Sequence, residues 1–206
     1  AAYFQTVTRG SRRETIALLN QFVQAAIPVK DMYLFIFQPV QREVGRLWQL
    51  NRIGIPQEHF ATHLTRMAMA QLAPMVVSSN RNGYSLLAAS VGRELHDLGL
   101  RMVADFFEMD GWECYYLGAN SPLEAIVQGV QAQQPQLLAL SATISTQLNQ
   151  VAEIIRQVRL EAGPGLKILV GGYPFNVAPA AWQRVGADGY AADADSAVRE
   201  GYRLVS

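Results

Sequence analysis

The chain has 206 residues, half of them hydrophobic, which is enough to bury the core of one large domain or two small ones. Seventeen basic side chains balance seventeen acidic ones, so the formal net charge is zero. A neutral chain lacks the basic surface typical of nucleic-acid-binding proteins, and we expect no direct contact with DNA or RNA. No apolar run approaches the roughly 20 residues of a membrane span, and no secretory signal is visible, so we expect a cytoplasmic protein.

The first 80 residues show the periodicity of three or four packed helices, and we assign them to a four-helix bundle. Ser11 has the spacing of a capping box that opens the first helix. Pro28 suits the first turn of a second helix, and Pro39, which lacks an amide hydrogen, should kink or restart that helix. Pro56 is expected to begin a last long helix.

A polar, turn-forming connector at residues 79–83 marks the expected boundary between a helical cap, 1–80, and a second domain, 84–206. In the second domain, short apolar strands alternate with helices, which indicates a parallel five-stranded sheet covered on both faces, in a Rossmann-like (flavodoxin-like) arrangement. The predicted strands are 84–90, 112–117, 137–141, 166–170 and 189–191, and the predicted helices are 98–109, 122–132, 147–160, 178–185 and 196–205.

The chain contains one cysteine, Cys114, so an internal disulfide is excluded. It falls within a predicted strand, which favours a small buried apolar residue over a catalytic or chromophore-attaching thiol. The chain begins at Ala1 rather than at a methionine, from which we expect a trimmed piece of a longer protein.

Three short segments, each following a predicted strand, have the spacing of a single ligand pocket. They are residues 94–99 (Glu-Leu-His-Asp-Leu-Gly), 141–143 (Ser-Ala-Thr) and 171–172 (Gly-Gly). Ligands of open parallel sheets bind in the crevice beyond the carboxyl ends of the strands. Each segment alone resembles common turn chemistry, but their order and spacing together predict one binding site.

His96 is the candidate metal ligand in this pocket. A neutral imidazole binds a transition metal through one nitrogen, and a carboxylate on its other nitrogen fixes the tautomer. Glu94, two residues away, can supply that carboxylate, and Asp97 flanks the ring on the other side. Gly99 would permit a bulky ligand to approach the start of the following helix.

The other two segments suit a buried aromatic group. The hydroxyls of Ser141 and Thr143 can hydrogen-bond a heteroaromatic ring. Gly171 and Gly172 have no side chains and leave room for a group inserted beside the sheet.

In this order the segments resemble the cobalamin-binding domain found in methionine synthase, mutases and related light sensors. The family pattern is Asp-x-His-x-x-Gly, then Ser-x-Leu or Ser-x-Thr, then Gly-Gly, and this chain has Glu94 in place of the usual aspartate. The resemblance spans residues 84–206. It implies that His96 replaces the cofactor's own benzimidazole as the lower cobalt ligand. The displaced nucleotide tail would then enter a slot lined by Ser141, Thr143, Gly171 and Gly172.

The helical half resembles the cobalamin photoreceptors that regulate carotenoid genes, in which a helical bundle covers the upper face of the corrin. The resemblance lies in residues 44–48 (Val-Gly-Arg-Leu-Trp) and in the Glu58-His59 pair. It implies that Trp48 stacks over the upper ligand, that Glu58 hydrogen-bonds the adenosyl ribose, and that His59 lines the same cavity.

One position departs from those photoreceptors. Gln49 stands where they have the histidine that coordinates cobalt after illumination, and an amide is a poor ligand for this metal. His59, His63 or water could take that position. His59 and His63 share one helical face, as two ligands of a separate metal site would. The pair could instead line the cavity, or one of the two could face the cobalt.

The resulting hypothesis is a light-sensing module that binds adenosylcobalamin. Light would break the cobalt–carbon bond, and loss of the upper ligand would switch conformation, oligomeric state or contact with a regulatory partner. We assign no catalytic residue and expect neither enzymatic activity nor membrane binding. The alternatives are a methyl-carrying corrinoid protein of a methyltransferase system, with methylcobalamin, and a cobalamin sensor without photochemistry.

Overall fold

The computed structural model describes residues 1–92, 96–163, 165–178 and 180–206. The chain forms two compact units, Ala1–Val76 and Val77–Ser206, which we call the helical unit and the sheet unit. Within the described ranges, no helix combines the length and the apolar character needed to cross a lipid bilayer.

The helical unit is built from α-helices and one π-helical turn. Its elements are α1 (Ala2–Thr8), α2 (Arg12–Gln24), α3 (Val29–Met32), the π-helical turn (Tyr33–Phe37), α4 (Gln38–Gln49) and α5 (Ile55–Val76). The core is formed by apolar side chains contributed by all of these elements, including Leu19, Met32, Phe37, Leu64 and Leu72. The helical character of this part of the chain is as predicted from the sequence.

Helix α1 is not predicted by the sequence analysis, which begins the first helix at Ser11. Tyr3 and Val7 lie one turn apart on α1 and are both buried. The Tyr3 ring lies 5.0 Å from that of Phe37, and its hydroxyl is 3.0 Å from the hydroxyl of Thr65 on α5. Burial raises the pKa of Tyr3 to about 12, because the ionised phenolate would lose its hydration. Tertiary contacts therefore account for α1.

Pro39 changes the geometry of the helix that contains it. The chain is π-helical over Tyr33–Phe37 and returns to α-helical geometry in α4, whose second residue is Pro39. Since proline has no amide hydrogen, the regular α-helical hydrogen bond to the preceding turn is lost. The expected kink or restart takes the form of a change in helix type.

The sheet unit alternates strands and helices. The strands are β1 (Ser85–Val91), β2 (Glu113–Ser121), β3 (Leu137–Ser141), β4 (Lys167–Gly171) and β5 (Gly189–Ala191). The α-helices are α6 (Leu98–Met109), α7 (Leu123–Gln133), α8 (Leu148–Ala162), α9 (Tyr173–Val177), α10 (Ala181–Arg184) and α11 (Ala194–Val205). In the described residues all strand pairs are parallel, in the order β2-β1-β3-β4-β5. This confirms the predicted Rossmann-like, flavodoxin-like sheet.

The helix predicted over residues 178–185 is shorter in the structure, where α10 spans Ala181–Arg184, and the separate helix α9, Tyr173–Val177, is not predicted. Helix α9 ends at Val177, and the backbone of the next residue, Ala178, leaves helical geometry at φ −133° and ψ 76°. Ala178 precedes a proline in the sequence, and the residue before a proline is disfavoured in the helical region.

The two faces of the sheet carry different side chains near the ends of β1 and β3. Leu87, Ala89 and Leu140 belong to the apolar cluster that includes residues of α7 and α8. Because successive strand residues point to opposite faces, Ser90 and Ser141 lie on the other face. That face is packed by α6 and α11, and it carries the polar positions described next.

Candidate cofactor-binding site

The carboxyl edge of the sheet brings two of the three predicted segments together. Ser141, the last residue of β3, pairs in register with Ser90 of β1 on one side and with Gly171 of β4 on the other. Gly171 pairs in turn with Ala191 of β5. Neighbouring strands therefore present two hydroxyl groups and a glycine in one row, which we call the edge row: Ser90, Ser141 and Gly171.

Gly172 lets the two loops after β3 and β4 approach each other closely. Its φ is +104°, a conformation that favours glycine. A Cβ atom at this position would overlap the carbonyl oxygen of Ala142. The amide of Ala142 donates to the carbonyl of Gly171 at 3.2 Å, so the backbones are in direct contact, and any larger residue at 172 would separate them.

Thr143 is held by a neighbouring amide side chain. The Oε1 atom of Gln147 accepts hydrogen bonds from the backbone amides of Thr143, at 2.9 Å, and Ile144, at 3.2 Å. Thr143 is half-buried. The loop that carries the predicted Thr143 hydroxyl is thus fixed by Gln147, which the sequence analysis did not identify.

Ser90 lies in the edge row, although no motif marks it in the sequence. Its side chain is fully buried, and its hydroxyl has no hydrogen-bond partner among the described residues. Buried hydroxyls almost always have a partner, and an unpaired one carries a desolvation cost. The signal in the sequence was a single polar residue near the end of an otherwise apolar strand, Leu-Leu-Ala-Ala-Ser-Val.

His96 and Asp97 lie immediately before α6. His96 is exposed, whereas Asp97 is only 5% exposed and its carboxylate Oδ2 accepts a hydrogen bond from the Tyr116 hydroxyl at 2.9 Å. The guanidinium of Arg101 lies 5.2 Å from the centre of the Tyr116 ring. Tyr116, on β2, had no distinguishing signal in the sequence. Glu94, the predicted partner of His96, lies outside the described residues.

Gly99 lies in the first turn of α6 and is exposed. A Cβ atom added there would have no other atom within 4 Å. The space beside the first turn of α6 is therefore open, as an approaching ligand would require.

In the helical unit, the structure gives Glu58 and His59 a local explanation. Glu58 Oε2 lies 2.5 Å from His59 Nδ1, and Glu58 Oε1 accepts a hydrogen bond from the Thr62 hydroxyl at 2.9 Å. The His59 side chain is 72% exposed. Both carboxylate oxygens of Glu58 are thus bonded to neighbours on its own helix.

Trp48 and Gln49 end α4, and both are exposed, Trp48 by 46%. His63 is also exposed. The part of the chain that the structure describes holds no group of three or more histidine, cysteine, aspartate and glutamate side chains able to bind a metal ion. This finding gives no support to a separate metal site at His59 and His63.

The donor set of the sheet unit fits a corrinoid. The exposed imidazole of His96 would be able to bind the metal ion of such a cofactor. The unpaired hydroxyl of Ser90, beside Ser141, is suited to a ligand that brings its own hydrogen-bonding group. Gly171 and Gly172 add no side chains to this edge.

Comparisons with known proteins give the family. Residues 84–199 match a family described as B12 binding domain, and residues 1–73 match a second family with the same description. Dimethylamine corrinoid protein 1 of Methanosarcina acetivorans is 26% identical over 169 residues, covering 80% of this chain and 78% of that protein. Trimethylamine corrinoid protein of Methanosarcina barkeri is 26% identical over 184 residues, covering 87% of this chain and 83% of that protein.

Among solved structures, the monomethylamine corrinoid protein of Methanosarcina barkeri has the same fold. It superposes with a TM-score of 0.86 at 20% sequence identity, covering 98% of this chain and 96% of that one.

These relatives overturn the predicted light-sensing function. They are named as corrinoid proteins of methylamines, whereas that hypothesis rested on Trp48 and the Glu58-His59 pair. The contacts of Glu58 with His59 and Thr62 show why the pair misled, since it forms a bonded group within its own helix without any adenosyl ligand. The match over 84–199 alone covers more than half of the chain. The chain therefore belongs to the B12-binding domain family and binds a corrinoid cofactor.

Proposed function

We propose that this chain is the corrinoid-carrying component of a methyltransferase system. The observation that carries the proposal is the match, extending over most of the chain, to proteins named as dimethylamine and trimethylamine corrinoid proteins. A carrier holds the cofactor while separate methyltransferases catalyse the transfers.

The bound corrinoid supplies a cobalt ion that can accept and give up a methyl group. His96 is the proposed lower axial ligand, because it is exposed at the start of α6, next to the open space at Gly99. Ser141, Thr143, Gly171 and Gly172 are proposed to receive the nucleotide tail of the cofactor. Asp97 would support this site, since its buried carboxylate accepts a hydrogen bond from Tyr116 on β2.

The methyl donor that we propose is a methylated amine, the class of compound in the names of the relatives. The donor would be bound by a partner methyltransferase, and the carrier would present the cofactor to it. The cofactor form expected during turnover is methylcobalamin or the corresponding methylated corrinoid.

The test compares two alkyl forms of the cofactor. The protein is loaded in the dark with methylcobalamin or adenosylcobalamin, and each affinity is measured from the visible spectrum. We expect methylcobalamin to bind more tightly. In a second assay, with a methylcorrinoid–thiol methyltransferase added, we expect labelled methyl groups to pass from the loaded protein to a thiol acceptor.

The control for both assays is the His96→Ala variant, which should bind more weakly and lose the spectrum of histidine-ligated cobalt. A clear preference for adenosylcobalamin, together with label that stays on the protein, would contradict the proposal.

A further inference from the structure

We propose that Ser90 makes the protein specific for corrinoids that carry a nucleotide base. Its hydroxyl, beside Ser141, would form a hydrogen bond with that base. The inference rests on one part of the proposed function, that the chain binds a corrinoid, and does not require methyl transfer. The three sequence motifs place the binding site in residues 94–99, 141–143 and 171–172. The proposal adds Ser90, on β1, to that site.

The first observation is the unpaired hydroxyl. Ser90 is fully buried, and its Oγ atom meets no donor or acceptor among the described residues. Native proteins pair such groups with protein, water or ligand. A ligand that brings a polar atom to this position would complete the missing bond.

The second observation is the position of Ser90 in the sheet. It pairs in register with Ser141 on the adjacent strand, and paired residues of neighbouring strands point to the same face. Neighbouring strands lie about 4.8 Å apart, so one planar heteroaromatic ring is wide enough to contact both hydroxyls.

The third observation concerns the chemistry of that row. A hydroxyl can both donate and accept a hydrogen bond, so Ser90 and Ser141 together suit ring nitrogens and exocyclic groups of a base. Gly171, the next residue of the edge row, has no side chain to obstruct such a ring. Leu87 and Ala89, by contrast, belong to the apolar cluster on the opposite face.

The experiment compares cobalamin with cobinamide, a corrinoid that lacks the nucleotide tail. For Ser90→Ala we expect about tenfold weaker binding of cobalamin, as for one lost hydrogen bond, and unchanged binding of cobinamide. Urea unfolding of the variant without cofactor should show equal or greater stability than the wild type, because an unpaired buried hydroxyl has been removed. If Ser90 had a purely structural role, Ser90→Ala would instead lower the free energy of unfolding of the cofactor-free protein.

The matched control is Ser85→Ala at the other end of β1, where the hydroxyl already bonds Gln136 at 3.0 Å. We expect no change in affinity for either corrinoid. Equal weakening of cobalamin and cobinamide by Ser90→Ala, or no change in either, would overturn the inference. If the wild type binds cobalamin but transfers no methyl group, the proposed function fails while the assignment of Ser90 is still decided by the two affinities.

Discussion

The hydroxyl of Tyr116 donates a hydrogen bond to the carboxylate of Asp97, with 2.9 Å between Oη and Oδ2. This bond joins β2 to the residue that follows the proposed cobalt ligand, His96, in the chain. Asp97 is only 5% exposed and Tyr116 is half-buried, so the bond is partly shielded from water. The position of the start of α6 therefore depends on a side chain from a neighbouring strand.

Replacing Tyr116 by phenylalanine should lower the free energy of unfolding by about 1–3 kcal/mol, because a buried polar group loses a partner. Urea denaturation monitored by circular dichroism would measure this. In the cobalamin-loaded variant, a smaller fraction of the cobalt should show histidine ligation in the visible spectrum. Tyr190→Phe is the matched control, since the Tyr190 hydroxyl has no partner among the described residues. Equal behaviour of the two variants would contradict the role of Tyr116.

Replacing Gly172 by alanine should destabilise the sheet unit by at least about 2 kcal/mol. The new Cβ would overlap the Ala142 carbonyl, and the backbone would have to hold a non-glycine residue at φ +104°. Gly165→Ala provides the comparison in the same unit, because a Cβ there meets no atom within 4 Å. If urea unfolding gave the same midpoint for both variants, the close approach of the two loops would be wrong.

Replacing Gly99 by alanine should have opposite effects on stability and on binding. The free protein should gain about 0.5 kcal/mol, because alanine favours a helix more than glycine does and has open space at this position. The affinity for cobalamin should fall, because the added methyl group occupies space proposed for the cofactor. Denaturation and spectroscopic titration measure the two effects separately. Unchanged affinity would place the cofactor away from the first turn of α6.

Cys114 should be unreactive in the folded protein. Cys114 is half-buried, and desolvation, with a smaller contribution from the Glu108 carboxylate, raises the pKa of its thiol far above the ordinary value of about 8.5. Since the thiolate is the reactive species, alkylation by iodoacetamide at pH 8 should be much slower than in urea. The chain has one cysteine, so a mass increase reports this site alone. Equal rates in the two conditions would contradict the raised pKa of the thiol in the folded protein.

The same pKa shift predicts a pH dependence of stability. The folded state favours the neutral thiol of Cys114, so the contribution is fully present below pH 8.5 and is lost as the pH rises above that value. Cys114→Ser should therefore show a weaker loss of stability between pH 8 and pH 10 than the wild type does.

Much of the fold could be predicted because its signals are local. β3, β5 and α6 have the predicted bounds, since an apolar run or an amphipathic repeat ends at a polar or turn-forming residue in each case. Helix α1 was missed because its seven residues are held by contacts of Tyr3 with distant side chains. The apolar pattern predicts the end of β2 at residue 117, four residues before its end at Ser121, because the sequence does not show the register shifts of β2 against β1.

Part of the candidate site could be predicted because its signals are also local. Ser141 and Gly171 come at the ends of recognisable strands, so their order in the chain was enough to place them at one edge. Tyr116 and Ser90 were not identifiable, because the partner of a buried hydroxyl depends on tertiary structure. Glu58 and His59 led to a wrong function because two adjacent polar residues can bond each other.

Whether His96 binds cobalt from below is tested most directly by electron paramagnetic resonance of the cobalamin-loaded protein after reduction to Co(II). The protein is prepared with ordinary histidine and with ¹⁵N-histidine. If His96 is the axial ligand, the nitrogen superhyperfine triplet becomes a doublet on labelling, and this pattern is lost in His96→Ala. A triplet that persists in the labelled protein would mean that the cofactor's own base still coordinates the metal, and would contradict the proposed site.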